Sequence, residues 1–215
     1  MKKIYLACAA ALLSSFTFAQ SDKERNQLTL TTQQKKEILA GVDPAKVMRS
    51  HSRGSCDTLV TELTGGNSYN GNMFDMNALN LLTLETFSVT VDGTVNIAIY
   101  YRNGTYVGST TTSAGWIFLD SAVVTGAGLG VPVQVPVSLG LTLTPSTTYG
   151  FYVSATDPAA TFHYTDGTAV GTLHASDANL QFFEGHGGEW PFNLNNQPRV
   201  FNGNVIYCLG GVGIS

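Results

Sequence analysis

From Val131 to Leu143 every odd position is apolar: Val131, Val133, Val135, Val137, Leu139, Leu141 and Leu143. The even positions are Pro132, Gln134, Pro136, Ser138, Gly140 and Thr142. A period of two belongs to an extended chain with one buried and one wet face, so this stretch cannot be a helix. Prolines cannot donate ladder hydrogen bonds, which assigns the stretch to a sheet edge, and Gly140 divides it into two short strands. The same alternation continues in Phe87, Val89 and Val91, in Val95, Ile97, Ile99 and Tyr101, and in Tyr149, Phe151 and Val153. Asp92-Gly93 between the first two runs predicts a β-hairpin, and Asn103-Gly104 a further turn. Asn103-Gly104-Thr105 is also a glycosylation sequon, but the turn accounts for it. Short strands punctuated by Gly, Asn and Asp predict an all-β, antiparallel β-sandwich of jelly-roll-like character.

The first 55 residues differ. Lys2 and Lys3 precede an apolar run, Ile4 to Leu13, and the small residues Thr17 and Ala19 follow. This is the layout of a cleavable secretory leader over residues 1–19, too short to span a bilayer. Cys8 lies too early in the apolar run to make it a lipoprotein box. No membrane span is expected in the mature chain. Residues 20–55 hold seven of the nine mature bases and read as an N-terminal extension or linker. Thr31 to Ala40, stopped by Gly41, and the Asp43-Pro44 cap make that extension partly helical. The β-domain is then 56–208, followed by a tail, 209–215.

Without the two leader lysines the formal charge moves from -4 to -6. Beyond Cys56 only Arg102 and Arg199 oppose eleven carboxylates, a net -9. That field repels phosphate backbones, which excludes nucleic acid as a partner and leaves calcium or a neutral glycan compatible. Cys56 and Cys208 are the cysteines left after leader removal. In an oxidising compartment, flanking the first and last strands (Asp57 to Leu63 and Val200 to Tyr207), they are expected to form a disulfide.

Three motifs carry a resemblance: Gly71-Asn72-Met73-Phe74-Asp75, Ala175-Ser176-Asp177-Ala178-Asn179-Leu180, and Pro198-Arg199-Val200-Phe201-Asn202-Gly203 before an aromatic strand. Over about Asp57 to Tyr207 the chain resembles secreted bacterial β-sandwich modules found in surface proteins that use type IX secretion. The resemblance implies an extracellular, often accessory, module at the cell surface and supplies no catalytic residues.

Polar and aromatic side chains concentrate at Asp177, Asn179, Glu184, His186, Glu189 and Trp190. Two carboxylates near an aromatic suit a glycan- or peptide-binding loop, with Trp190 as stacking platform and the carboxylates accepting hydroxyl hydrogen bonds. They also suit a polysaccharide-active hydrolase using Glu184 and Glu189, although spacing in a glycine-rich loop does not establish the separation that chemistry needs. His163, His174 and His186 match no zinc spacing, so no metal is assigned. Asp75, Asp177, Asn179 and Glu184 offer calcium-type oxygens without a dense ligand loop. Arg199 is expected to pair with Asp75 or Asp177. No nucleophile elbow or phosphate loop occurs in context. The sequence therefore reads as a non-catalytic extracellular binding or adhesion module for a glycan or surface protein. The hydrolase and a purely structural surface component are its alternatives.

Overall fold

The computed structural model describes residues 55–210, together with the single position Gly41. The leader, the extension with its expected helices, and the tail beyond Gly210 lie outside the described residues. The described chain is all-β, with fifteen strands joined antiparallel into two sheets. The smaller holds β1 (Cys56–Val60), β15 (Gly203–Leu209), β4 (Leu82–Val89), β7 (Val133–Gln134) and β8 (Leu141–Leu143). The larger runs β2 (Asn67–Tyr69), β10 (Phe162–Asp166), β14 (Asn193–Phe201), β13 (Gly185–Glu189), β3 (Gly71–Ala78), β9 (Thr148–Ala155), β5 (Asp92–Asn103), β6 (Ile117–Ala127). β11 (Leu173–Ser176) and β12 (Leu180–Phe183) extend it beside β3.

Side chains from both sheets meet in one core. Phe74 of β3 lies 4.7 Å from Phe182, 5.1 Å from Phe201, 5.9 Å from Phe87 and 6.1 Å from Phe151, ring centre to ring centre. Phe87 belongs to the smaller sheet and the others to the larger, so Phe74 ties the two together. All five rings are fully buried, and aromatic pairs at these separations add to the burial of their area.

The alternating run from Val131 forms two short strands, β7 and β8, both paired with β4 at the edge, as the prolines and Gly140 require. The hairpin expected at Asp92-Gly93 does not form. β4 belongs to the smaller sheet and β5 to the larger, and the chain crosses between them at Thr90-Val91. Alternation fixes only that one face is buried, and a crossing between two sheets over a common core satisfies it as well as a hairpin does. Thr86, Ser88 and Thr90, which alternate with the apolar Phe87, Val89 and Val91, are buried as well. The Thr86 hydroxyl donates to Val135 O and that of Thr90 to Asn202 O.

A second crossing corrects the last strand. Val200 and Phe201 end β14 in the larger sheet, and Gly203 begins β15 in the smaller. Buried Asn202 anchors the switch: its Nδ2 donates to Gly65 O, and its Oδ1 accepts from Thr165 Oγ1. Gly203 is required because a Cβ there would overlap Ser88 O. Arg199 pairs with Asp166 at 2.9 Å, not with Asp75 or Asp177. The register of β10 on β14 sets Asp166 directly opposite Arg199, and cross-strand neighbours of opposite charge meet without rearrangement.

The first strand is β1, shorter than expected, and it lies antiparallel to β15 with Cys56 opposite Cys208. The two cysteines form a disulfide across 152 residues. In the chain-entropy picture a loop of that length is worth about 5 kcal/mol, an upper figure because residual unfolded structure reduces it. Weighed intact in denaturant with an alkylating reagent, the purified protein is expected to take up no label at Cys56 or Cys208, and Cys208→Ser to melt at a lower temperature. Alkylation of both cysteines in native material contradicts the bridge.

Candidate functional site

The central strands of the larger sheet, β3 and β9 with the middle of β5, are buried on both faces. Residues 97–101 and 149–153 are continuous apolar or aromatic runs interrupted only by Gly150, the pattern of strands with no wet side. Beneath lies the Phe74 core. Above lies a second cluster of Met73, Tyr106, Tyr152 and Leu194, flanked by Tyr100, Trp116, Trp190 and Phe192. The rings of Tyr152, Tyr100 and Trp190 meet in a triangle, Tyr152 lying 5.8 Å from Tyr100 and 6.0 Å from Trp190 and those two 6.1 Å apart, and burial pushes the Tyr152 hydroxyl pKa up to about 12. The loop after β5 closes this face: Asp75 accepts from Thr105 Oγ1 and from Tyr106 N, and Trp116 Nε1 donates to Ser109 O. Burial raises the Asp75 carboxyl pKa against those two donors and nearby Arg102. Of this cluster the sequence marks only Trp190 as a candidate site residue, and Met73 stands in the Gly71–Asp75 motif.

The six expected site residues divide into separate places. Asp177 and Asn179 shape the β11–β12 turn: Asp177 Oδ1 accepts from Asn179 N and Leu180 N, and Tyr207 Oη donates to its Oδ2. Asn179 Nδ2 donates to the same Tyr207 oxygen. That is an Asx-type turn tied to the neighbouring sheet. Glu184 is 3% exposed, and its carboxylate accepts from Thr168 N, Ala169 N at 2.9 Å and Thr168 Oγ1 at 3.0 Å, with His174 Nδ1 3.8 Å away. It clamps the loop before β11. His186 faces the aromatic cluster, where the Tyr106 hydroxyl lies 2.8 Å from its Nδ1. Burial keeps Tyr106 protonated and disfavours the imidazolium, so a neutral phenol pairs with a neutral imidazole, and the ring tautomer sets which of the two donates.

Glu189 and Trp190 are the two that the structure brings together. They line an open groove of about 420 Å³ with Tyr69, Asn70, Pro158 and Ala160. Asn70, buried at its base, donates from Nδ2 to the carbonyls of Asp157, Pro158 and Ala160 and accepts Trp190 N on Oδ1. One amide thus sets both walls. Glu189 is exposed, and its two oxygens accept separately from Tyr69 Oη at 2.7 Å and Asn193 Nδ2 at 2.8 Å. Those donors hold its carboxyl below the usual range. β13 delivers Glu189 here because Gly187 and Gly188 pair with Asn72 and Gly71 of β3. A Cβ on Gly188 would press on Asn193 O and Leu194 Cα, which explains the glycine-rich strand.

Among the described residues no group of three or more His, Cys, Asp or Glu converges as metal ligands, and the four calcium-type oxygen donors are spread over three places. No described helix is long and apolar enough to cross a membrane.

No protein-family model matches this chain, and no curated protein matches it in sequence. Two solved structures of the clostridial cysteine protease Cwp84 align with it. One is a form after propeptide cleavage, at 14% identity and TM-score 0.42. The other comprises the cysteine protease and lectin-like domains of this surface-layer-associated protein of Clostridium difficile, at 13% identity and TM-score 0.41. Each alignment covers 72% of this chain, which spans 40% and 36% of those chains.

Two outcomes follow from the local chemistry. Glu184→Ala strips a buried set of backbone and hydroxyl donors of their acceptor and is expected to cost about 2–3 kcal/mol in chemical denaturation, whereas a change within about 0.5 kcal/mol contradicts the clamp. Burial, only partly opposed by a hydrogen bond to Gln197, lowers the His186 pKa below 6.5. The unfolded chain then takes up the proton first, so this group's contribution to stability is lost as pH falls below about 6.5. His186→Gln, which keeps an acceptor for Tyr106, is expected to melt with a flatter acid limb, and an NMR titration placing His186 at or above 6.5 contradicts the assignment.

Proposed function

We propose that this chain is a non-catalytic extracellular binding or adhesion module, a jelly-roll-like β-sandwich carried to the cell surface, whose Tyr69–Trp190 groove takes a saccharide. One observation carries the reading: of the six residues lining the groove, Glu189 is the sole carboxylate, and two of the others, Tyr69 and Trp190, are aromatic. Flat rings that stack on a sugar's apolar face, with a few fixed polar groups to orient its hydroxyls, are what a saccharide groove requires.

Two facts favour this over a hydrolase using Glu184 and Glu189. Glycosidases hold two carboxyls within about 10 Å across the scissile bond. Five residues of extended chain separate these two by roughly 16 Å, and Glu184 is buried against Thr168 and Ala169. A carboxyl pKa raised for proton donation is also missing at Glu189, whose partners lower it. The leader-like N-terminus and the disulfide support an extracellular setting.

The test is an array of soluble oligosaccharides, followed by calorimetry and product analysis. Binding without turnover is expected, weakened at least about tenfold in Trp190→Ala and in Tyr69→Ala, and the exposed Tyr69→Ala is expected to keep the melting temperature while Trp190→Ala, which also loses its packing on Tyr152, lowers it. Product release abolished by Glu189→Gln overturns the non-catalytic reading in favour of the hydrolase. Binding to nothing on the array favours a purely structural surface component.

A further inference from the structure

Each Glu189 oxygen receives one hydrogen bond, from Tyr69 Oη and from Asn193 Nδ2. An ionised carboxylate offers about four acceptor sites, so roughly half its capacity remains open toward the groove. Both donors are neutral and leave its charge uncancelled. Arg102 and Arg199 are the described cationic side chains outside histidine, and both are committed elsewhere. Arg102 bonds Ser109 Oγ and lies over the Trp116 ring, while Arg199 pairs with Asp166 over the Tyr164 ring. The remaining groove residues, Asn70, Pro158 and Ala160, bring no charge.

Among the described residues the groove thus presents a negative charge that no cationic side chain answers, in a lining that includes Tyr69 and Trp190. Aromatic faces carry negative potential and attract cations, so carboxylate and rings favour the same sign. Sugar acids would meet repulsion, and a neutral sugar would leave the charge unanswered. Resting on the reading that this groove binds saccharide, we infer that its ligand is an amino sugar with a free protonated amine, the ammonium seated on Glu189 and the apolar ring face on Trp190.

Glucosamine oligomers and N-acetylglucosamine oligomers of equal length provide the test, since acetylation removes the charge and keeps the sugar ring. Calorimetry at pH about 5.5 keeps Glu189 ionised and the free amines protonated. The glucosamine oligomer is expected to bind the native protein roughly tenfold tighter at low salt, the size of one screened ion pair plus one cation–π contact. That ratio is expected to shrink as salt rises and to fall to about one in Glu189→Gln, whose exposed position should leave the melting temperature unchanged. Equal affinities in the native protein, or a preference that survives Glu189→Gln, overturn the inference and leave saccharide binding standing. Oligolysine binding as tightly as the amino sugar through Glu189 overturns the sugar assignment. Failure of every oligosaccharide on the array to bind overturns the saccharide reading and this inference together.

Discussion

The contact on which the rest of the molecule depends is the meeting of Phe74 with four other phenylalanine rings. Phe74 can face the core only if Met73 and Asp75 face the opposite side, because successive side chains on a strand alternate. That requirement puts Met73 under the outer aromatic cluster and Asp75 against the Thr105–Tyr106 loop. It also fixes the register in which β13 runs along β3, His186 beside Met73 and Gly188 beside Gly71. The groove is downstream of this. Glu189 and Trp190 reach Tyr69 and Asn70 because β13 is held there, and Asn70 then ties the Asp157–Ala160 wall to the Trp190 backbone.

Period-two patterning made the antiparallel all-β architecture legible, and the prolines with Gly140 located the edge strands. Position and compartment placed the first and last strands side by side with their cysteines opposed. The two crossings between sheets were not legible. At Thr90-Val91 and at Asn202 the apolar alternation passes from one sheet into the other with the same face inward, so the pattern carries no mark of the change. The outer aromatic face did leave a signal, Tyr100 and Tyr152 standing where a one-sided strand would carry polar residues. Doubly buried strands lose their alternation, and those two runs had lost it.

The candidate site was legible as a segment and not as a constellation. Asp177, Glu184 and Glu189 are alike in sequence, yet Asp177 caps a turn, Glu184 clamps a loop from within, and Glu189 stands in the open. What separates them is the count and origin of donors supplied by distant strands and loops, which composition does not encode. Arg199 teaches the same lesson: its partner was set by the strand register that puts Asp166 across from it. In an acidic domain with two arginines, most carboxylates must be answered by backbone and hydroxyl donors, and the exposed one beside aromatic rings becomes distinctive.

We propose this groove, and not the outer aromatic face or a sheet edge, as the place where the molecule meets a ligand. Amide hydrogen exchange of the intact protein with and without a saturating glucosamine oligomer tests it most directly. Slowed exchange is expected only in peptides covering 67–70, 157–160 and 187–190. Protection centred on 116–123 instead, with those three segments unchanged, would contradict it.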